Sequence, residues 1–399
     1  MSETKLSAIG VEDGGRALMA AMAELRAAAP LRHNEEGIWE FFRYQETLRA
    51  VSDHETFSSD TSEVIPSDPA LDRFNENNFV RMDPPQHRRL RRLVSQAFTP
   101  RVIAQLAPRI EAVTAELLDA VAGQRRIDLV RDLAYPLPVI VIAEMLGVPV
   151  GDREKYRAWA NGLFEGTRGD SLLPSKERMA LSRDSILEMT EYLHRHIEVR
   201  RGDPRDDLTT KLIEAEVDGE RLDDDAITTF MVILLLAGHI STTALLGNMV
   251  LCLDENPDVA AEVRADRGLV PATVEETLRL RAPFPRLARV TTREVEVGGE
   301  VLPKGSIAML WVASANRDER QFPDPDRFDP RRDPNPHLSL GHGIHFCLGA
   351  PLARMESRIA LNAVLDRYSK ITVDWDGVRY TDASTLLSAS ELPLDVVPA

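Results

Sequence analysis

Cys347 sits in the run Ser-Leu-Gly-His-Gly-Ile-His-Phe-Cys-Leu-Gly-Ala-Pro, residues 339–351. Gly343 and Gly349 bracket it, and glycines there allow a tight turn that aims backbone N–H groups at the sulfur. The same cysteine precedes an amphipathic helical pattern, where the positive end of the helix dipole favours thiolate over thiol. Metal ligation by sulfur is the chemistry such a setting supports. On these residues alone a buried structural cysteine stays open, as does a zinc site of His342, His345 and Cys347. The zinc reading lacks a fourth ligand nearby, and its ligands fall in one loop rather than in the usual paired spacing.

Other polar residues stand at useful spacings. His87 and Arg91, four apart, put two donors on one helical face, which suits a pair of carboxylates. A basic surface helix is the plainer alternative. Arg81, Arg88, Arg89 and Arg92 crowd the same stretch, a concentration that fits either a docking surface for an acidic partner or a solvated face. Glu276 and Arg279, three apart, can pair on one face. In Leu-Leu-Leu-Ala-Gly-His-Ile-Ser-Thr-Thr, Leu234 to Thr243, the residues His239, Ser241 and Thr242 could relay protons. Their hydroxyls could equally satisfy helix carbonyls.

These residues need elements to position them. Helical periodicity covers Arg16–Ala29, Tyr44–Val51, His87–Phe98, Arg101–Val121, Leu137–Leu146, Arg153–Phe164, Lys176–Arg200, Val270–Arg281 and Ala350–Arg367. The longest helix, Asp223–Asp254, starts on three aspartates that complement its dipole, and its middle is apolar all round, so it should cross the interior. Strands are expected at Gly37–Phe42, near Glu294–Leu302 and at Ile307–Trp311. Ser58–Arg81 reads as a long irregular wall over a pocket. The class is mainly α with a small β portion.

The chain has 399 residues, 43% of them hydrophobic, and no linker or repeat divides it, which favours a single domain. A net charge of -16 argues against nucleic acid and acidic membranes as main partners. Two cysteines make no disulfide framework, and Cys252 lies in an apolar helix run as an inert thiol. The first residues form no apolar signal core, and Phe230–Gly238, the longest apolar run, is about half of the ~20 residues a span needs. A soluble, cytoplasmic protein is expected.

Gly343-x-His345-x-Cys347-x-Gly349, continued by Ala-Pro-Leu-Ala-Arg-Met-Glu, resembles the haem signature of the cytochrome P450 family. The resemblance implies a single-domain triangular prism with haem b between the long helix and the cysteine segment. Cys347 would be the iron ligand, its electron push favouring O–O cleavage. It implies that His87, Arg91, Arg289 and His345 contact haem propionates. It places Ala237 and Gly238 over the haem and makes Glu276, Arg279 and Arg327 a structural network. Matching motifs run in family order from Pro84 to Arg358, over half of the chain.

Two departures stand out. Leu340 replaces the usual Phe beside the cysteine loop, which bears on the iron's potential. Ile240 stands where an acid is usual and Ser241 where Thr is usual, so Ser241, Thr242, ordered water and His239 would carry proton delivery. The implied reaction is insertion of one oxygen atom of O2 into a C–H bond or double bond. This chain shows no flavin or iron–sulfur motif, so a ferredoxin and its NAD(P)H-dependent reductase would supply electrons.

Val64, Ile65, Phe79, Leu234, Ala237, Phe284, Leu287, Leu386 and Leu387 should line an apolar substrate pocket. The Ala-Gly-His-Ile run, followed by Leu-Leu-Gly-Asn, is similar to bacterial macrolide-tailoring hydroxylases, pointing to a macrolide or other polyketide. Only six of the 48 Lys and Arg residues are Lys, which agrees with a GC-rich bacterial genome. Phenol coupling by the same kind of centre, and a non-enzymatic metal-binding or sensor role, are the alternatives.

Overall fold

Apolar residues recur all round Asp224–Glu255, and this 32-residue helix runs through the largest hydrophobic core. The Asp223 carboxylate accepts the Ala226 N–H at 2.8 Å, and Asp224 and Asp225 occupy the first turn, so the helix start is capped and its dipole complemented. By length and composition this helix could cross a membrane, but 78% of its most apolar window is buried against the rest of the protein. It is a core helix. The computed structural model describes all residues except 1–4, 7–8, 10–12, 65–67, 166–175 and 383.

Three shorter helices pack on this central one: Pro136–Leu146, Val270–Leu280 and Ala350–Arg367. Pro136–Leu146 is apolar on every side and buries all of its residues but Glu144. The long helix Lys176–Gly202 closes over another side. Strands are few and short. One five-stranded sheet runs in the order Leu31–His33, Trp39–Phe41, Ile307–Leu310, Leu287–Thr291, Phe57–Ser58. Only Trp39–Phe41 and Ile307–Leu310 pair in parallel within it. A three-stranded sheet joins Tyr368–Val373, Pro393–Pro398 and Arg126–Asp128. The architecture is mainly α with a small β portion, as the periodicity predicts.

Three expectations change in detail. The helix expected over Arg101–Val121 is two, Pro100–Ala104 and Ala107–Ala120, because Pro108 in the second one's first turn has no N–H to continue the ladder. The strand expected near Glu294–Leu302 is a hairpin of Val295–Val297 and Glu300–Leu302, turned at Gly298 and Gly299 with φ of 57° and 87°. Leu287, expected as pocket wall, and Arg289, expected as a propionate contact, both lie on an interior strand of the main sheet, Leu287–Thr291.

Candidate active site

The cysteine loop turns on Gly341 and Gly343, so only one of the two glycines that bracket the cysteine in sequence serves the turn. Gly341 and Gly343 are left-handed, with φ of 70° and 65°, whereas Gly349 has φ -79° and caps the C-terminal helix. A Cβ on Gly341 would also stand 3.3 Å from the His345 carbonyl. The loop closes through the Cys347 N–H, which donates to the Leu340 carbonyl at 2.8 Å. The N–H groups of Gly349 and Ala350 point at the sulfur, as the sequence predicts. Cys347 is exposed toward a cavity, yet protein surrounds it closely enough that burial pushes the thiol upward. That outweighs the pull of the two amides and of the Arg91 charge. The amides at the helix start thus act toward the thiolate, and burial opposes them.

A cavity lies between this loop and the central helix. Leu234, Ala237, Gly238, Ser241 and Thr242 face it from the helix, and Phe79, Phe284 and Leu287 form further wall. Phe230 and Ile233 line it too, although sequence reasoning passed over them. Their spacing from Leu234, Ala237 and Ser241 puts them on one helical face, a signal that could have found them. Four expected wall residues need comment. Val64 is not among the lining residues, and Ile65 lies outside the described residues. Leu386 lines a different cavity, and the Leu387 N–H donates to the Pro283 carbonyl at 2.9 Å while its side chain joins a separate core.

Cationic groups and donors crowd one edge of the cavity. The rings of His87 and His345 lie 4.4 Å apart, and both Nε2 atoms are buried without a hydrogen-bond partner. Burial, then the positive charges around it, pushes His345 down to about 3; burial and Arg91 lower His87 as well. Burial pushes the Arg289 guanidinium down to about 10, and Nη1 donates to the Ala288 carbonyl at 2.8 Å. Arg91 reaches the Phe346 carbonyl at 2.7 Å. Such an edge is short of negative charge. The zinc arrangement does not form: His342 Nδ1 meets the Ser52 hydroxyl at 2.9 Å, while His345 engages the Met82 backbone.

On the central helix, Ser241 and Thr242 donate to the carbonyls of Ala237 and Gly238, each at 2.8 Å. Both hydroxyls thus serve the helix and face the cavity. His239 does not. It points to the opposite side, Nδ1 bonded to the Leu235 carbonyl, its ring edge-on to Tyr135, and it lines a second cavity together with Ile240. A helix advances about 100° per residue, so neighbours of Gly238 cannot all face one site. Gly238 has a further duty, since a Cβ there would meet Ile142 Cδ1 at 2.3 Å. It lets the helix Pro136–Leu146 approach closely.

Glu276 and Arg279 are fully buried and joined by two bonds of 2.8 Å. The third member of the network is Arg332, not Arg327. The Arg332 Nε lies 3.3 Å from Glu276, while Arg327 has an exposed side chain and offers only its carbonyl to Arg279, at 3.0 Å. Arg279 also donates to the Asn316 and Pro325 carbonyls. The network ties the helix Val270–Leu280 to the coil that leads into the cysteine loop.

Residues 43–394 match the cytochrome P450 family profile. This chain is a cytochrome P450. It is 48% identical to cyclomarin C epoxidase CymV of Salinispora arenicola, over 93% of each chain. It is 46% identical to the erythromycin C-12 hydroxylase of Saccharopolyspora erythraea, over 91% of this chain and 90% of that one. The solved structure of cytochrome P450 TbtJ1 superposes with a TM-score of 0.88 at 42% identity, covering 98% of this chain and 100% of the other. This P450 is therefore a haem-dependent monooxygenase. Its own residues fit haem b: a sulfur opens into the cavity, and the His87 and His345 nitrogens lack partners at the edge where two propionates would lie.

Proposed function

We propose that this P450 hydroxylates or epoxidises a bulky, neutral, hydrophobic secondary metabolite, a macrolide or other polyketide. The apolar character of the central-helix half of the cavity carries this reading. Phe230, Ile233, Leu234 and Ala237 present no charge, and the guanidinium groups of Arg91 and Arg289 belong to the opposite, carboxylate-binding edge. A charged substrate would lose its hydration there with no partner to replace it. That CymV is an epoxidase and another relative an erythromycin hydroxylase supports both the reaction pair and the substrate class.

Bound haem b supplies iron on which dioxygen is reduced and split, one atom entering the substrate and the other leaving as water. The chain's residues would do the rest. Cys347 would hold the haem iron through its sulfur as a thiolate. His87, Arg91, Arg289 and His345 are read as holding the propionates, and Leu340 as packing beside the sulfur. Ser241, one helical turn beyond Ala237, is read as holding a distal water chain. Electrons are assigned to an external ferredoxin and its NAD(P)H-dependent reductase, and the chain to one domain.

The ferrous–CO difference spectrum and substrate-induced spin shift test these points. Wild type should show a strongly red-shifted Soret band, which Cys347→Ser loses. Erythromycin-type macrolactones should shift the spin state, whereas small fatty acids should not; the reverse pattern would overturn the substrate class. Ser241→Ala should lower product formed per reductant consumed, and unchanged coupling would remove it from the relay.

A further inference from the structure

The second cavity lies on the far side of the central helix from the cysteine loop and shares no lining residue with the haem-facing one. Its helix side is made by the buried His239, Ile240 and Thr243, while the exposed Arg157, Asn161 and Ser390 mark its open side. Successive helix residues point about 100° apart, so one stretch of helix serves both cavities.

Most polar groups on this lining are already used. The Thr243 hydroxyl donates to the His239 and Ala134 carbonyls at 2.8 and 3.0 Å, and the Tyr135 hydroxyl donates to the Arg153 carbonyl at 3.2 Å. Thr381 donates to the Leu386 carbonyl at 2.6 Å and Ser388 to the Ala389 carbonyl at 3.0 Å. Two buried atoms of the lining are left without a partner among the described residues, His239 Nε2 and Thr385 Oγ1. Buried polar atoms are seldom left so, and a bound molecule would complete both.

The chemistry of that molecule follows from His239. Burial holds the ring down to about 4, so it is neutral at neutral pH. The Leu235 carbonyl only accepts, so Nδ1 carries the proton and Nε2 presents a bare lone pair. The molecule must therefore bring a donor. Arg157 and Asp382, the charged residues of the lining, are opposite in sign and give no net charge to draw an ion. Val130, Tyr135, Ala160, Ile240 and Leu386 supply apolar and aromatic wall. Water meets the need for a donor but leaves that wall without dispersion contacts. A hydroxyl on a ring-sized apolar body meets every condition, and its oxygen can also accept from Thr385.

We propose that the second cavity is a binding site for a small neutral alcohol or phenol, its hydroxyl donating to His239 Nε2 and its apolar body packing on the wall around Tyr135 and Ile240. The site is separate from the cavity where substrate is oxidised, and it stands whatever the substrate class proves to be.

Phenol itself is the probe, and its binding to the holoenzyme is read by calorimetry and saturation-transfer NMR. Binding should persist at unchanged affinity when saturating phenylimidazole, an azole that ligates haem iron, occupies the haem-facing cavity. Toluene, of the same shape but without a donor, should bind roughly tenfold more weakly, because it leaves Nε2 unpaired. His239→Phe should weaken phenol roughly tenfold and bring it level with toluene. Should that variant fail to fold, Asn161→Trp at the exposed rim should obstruct entry and weaken both ligands. Phenol displaced by phenylimidazole would belong to the haem-facing cavity, and that result overturns the proposal. Equal affinities for phenol and toluene in wild type, or no binding at millimolar phenol, would leave the cavity to water and overturn it too.

Discussion

Histidines in this protein are distributed by burial rather than by sequence neighbourhood. His239 is embedded in the interior and held down to about 4 by desolvation, against the bond to the Leu235 carbonyl that raises it. A base with a lowered folded pKa adds nothing above its unfolded value of about 6.5. Below that, the unfolded chain takes up a proton that the folded one refuses, and stability declines until the pH reaches the folded value. The loss from this residue should reach about 2 kcal/mol at about pH 5. His239→Phe, which keeps a ring against Tyr135, should remove that increment when denaturant midpoints at neutral and mildly acid pH are compared. The residue types of the Cys347 loop and the donors His87 and Arg91 were legible from their spacing, because such chemistry needs particular side chains in a short stretch. The orphaned state of the His87 and His345 nitrogens was not legible, since it depends on what packs around them.

Helices set the site by how closely they approach one another. Gly238 faces the cavity and also admits Ile142 from the helix Pro136–Leu146. Gly238→Ala forces Ile142 to move, which offsets the helix propensity gained from alanine. The penalty should be smaller by about 1 kcal/mol in an Ile142→Val background, where the colliding methyl is gone. Equal penalties in the two backgrounds would show that the close approach is not what glycine serves. The buried network makes a sharper contrast. Arg332→Ala should destabilise by about 3 kcal/mol because it strips a partner from the buried Glu276. Arg327→Ala should lie within about 0.5 kcal/mol of wild type, its side chain being exposed. Thermal unfolding of the two variants decides between them. Glu276 and Arg279 were readable as an i,i+3 pair; which distant arginine joins them was not, because the coil brings several arginines within reach.

At the scale of the molecule, an acidic chain carries a basic helix start beside its cysteine loop. Part of that charge is already answered: Arg89 pairs with Glu220 at 2.9 Å and Arg92 with Asp218 at 2.7 Å. Arg88 is exposed beside them, and Phe346 is 41% exposed on the cysteine loop that Arg91 touches. An acidic ferredoxin attracted to this face would be steered by charge despite the net charge of -16. Reduction of the haem by such a donor should slow as salt rises, and Arg88→Glu should slow it roughly tenfold at low salt with less salt dependence left. A rate indifferent to salt would place docking elsewhere.

Sequence alone determined the class of protein, the sulfur-bearing loop, the long interior helix and its cavity-facing residues Leu234, Ala237, Ser241 and Thr242. Each follows from local rules: glycine placement, helical period, and side-chain types that only a few chemistries use. Tertiary structure decided the rest. It turned His239 and Leu386 toward a second cavity, replaced Arg327 by Arg332, and joined Gly341 rather than Gly349 to Gly343 in turning the loop. It also buried Glu356 beside Thr242, although more than 100 residues separate them in sequence. Contacts between distant segments depend on which helix faces meet and how closely. That is a property of packing, which no local spacing encodes.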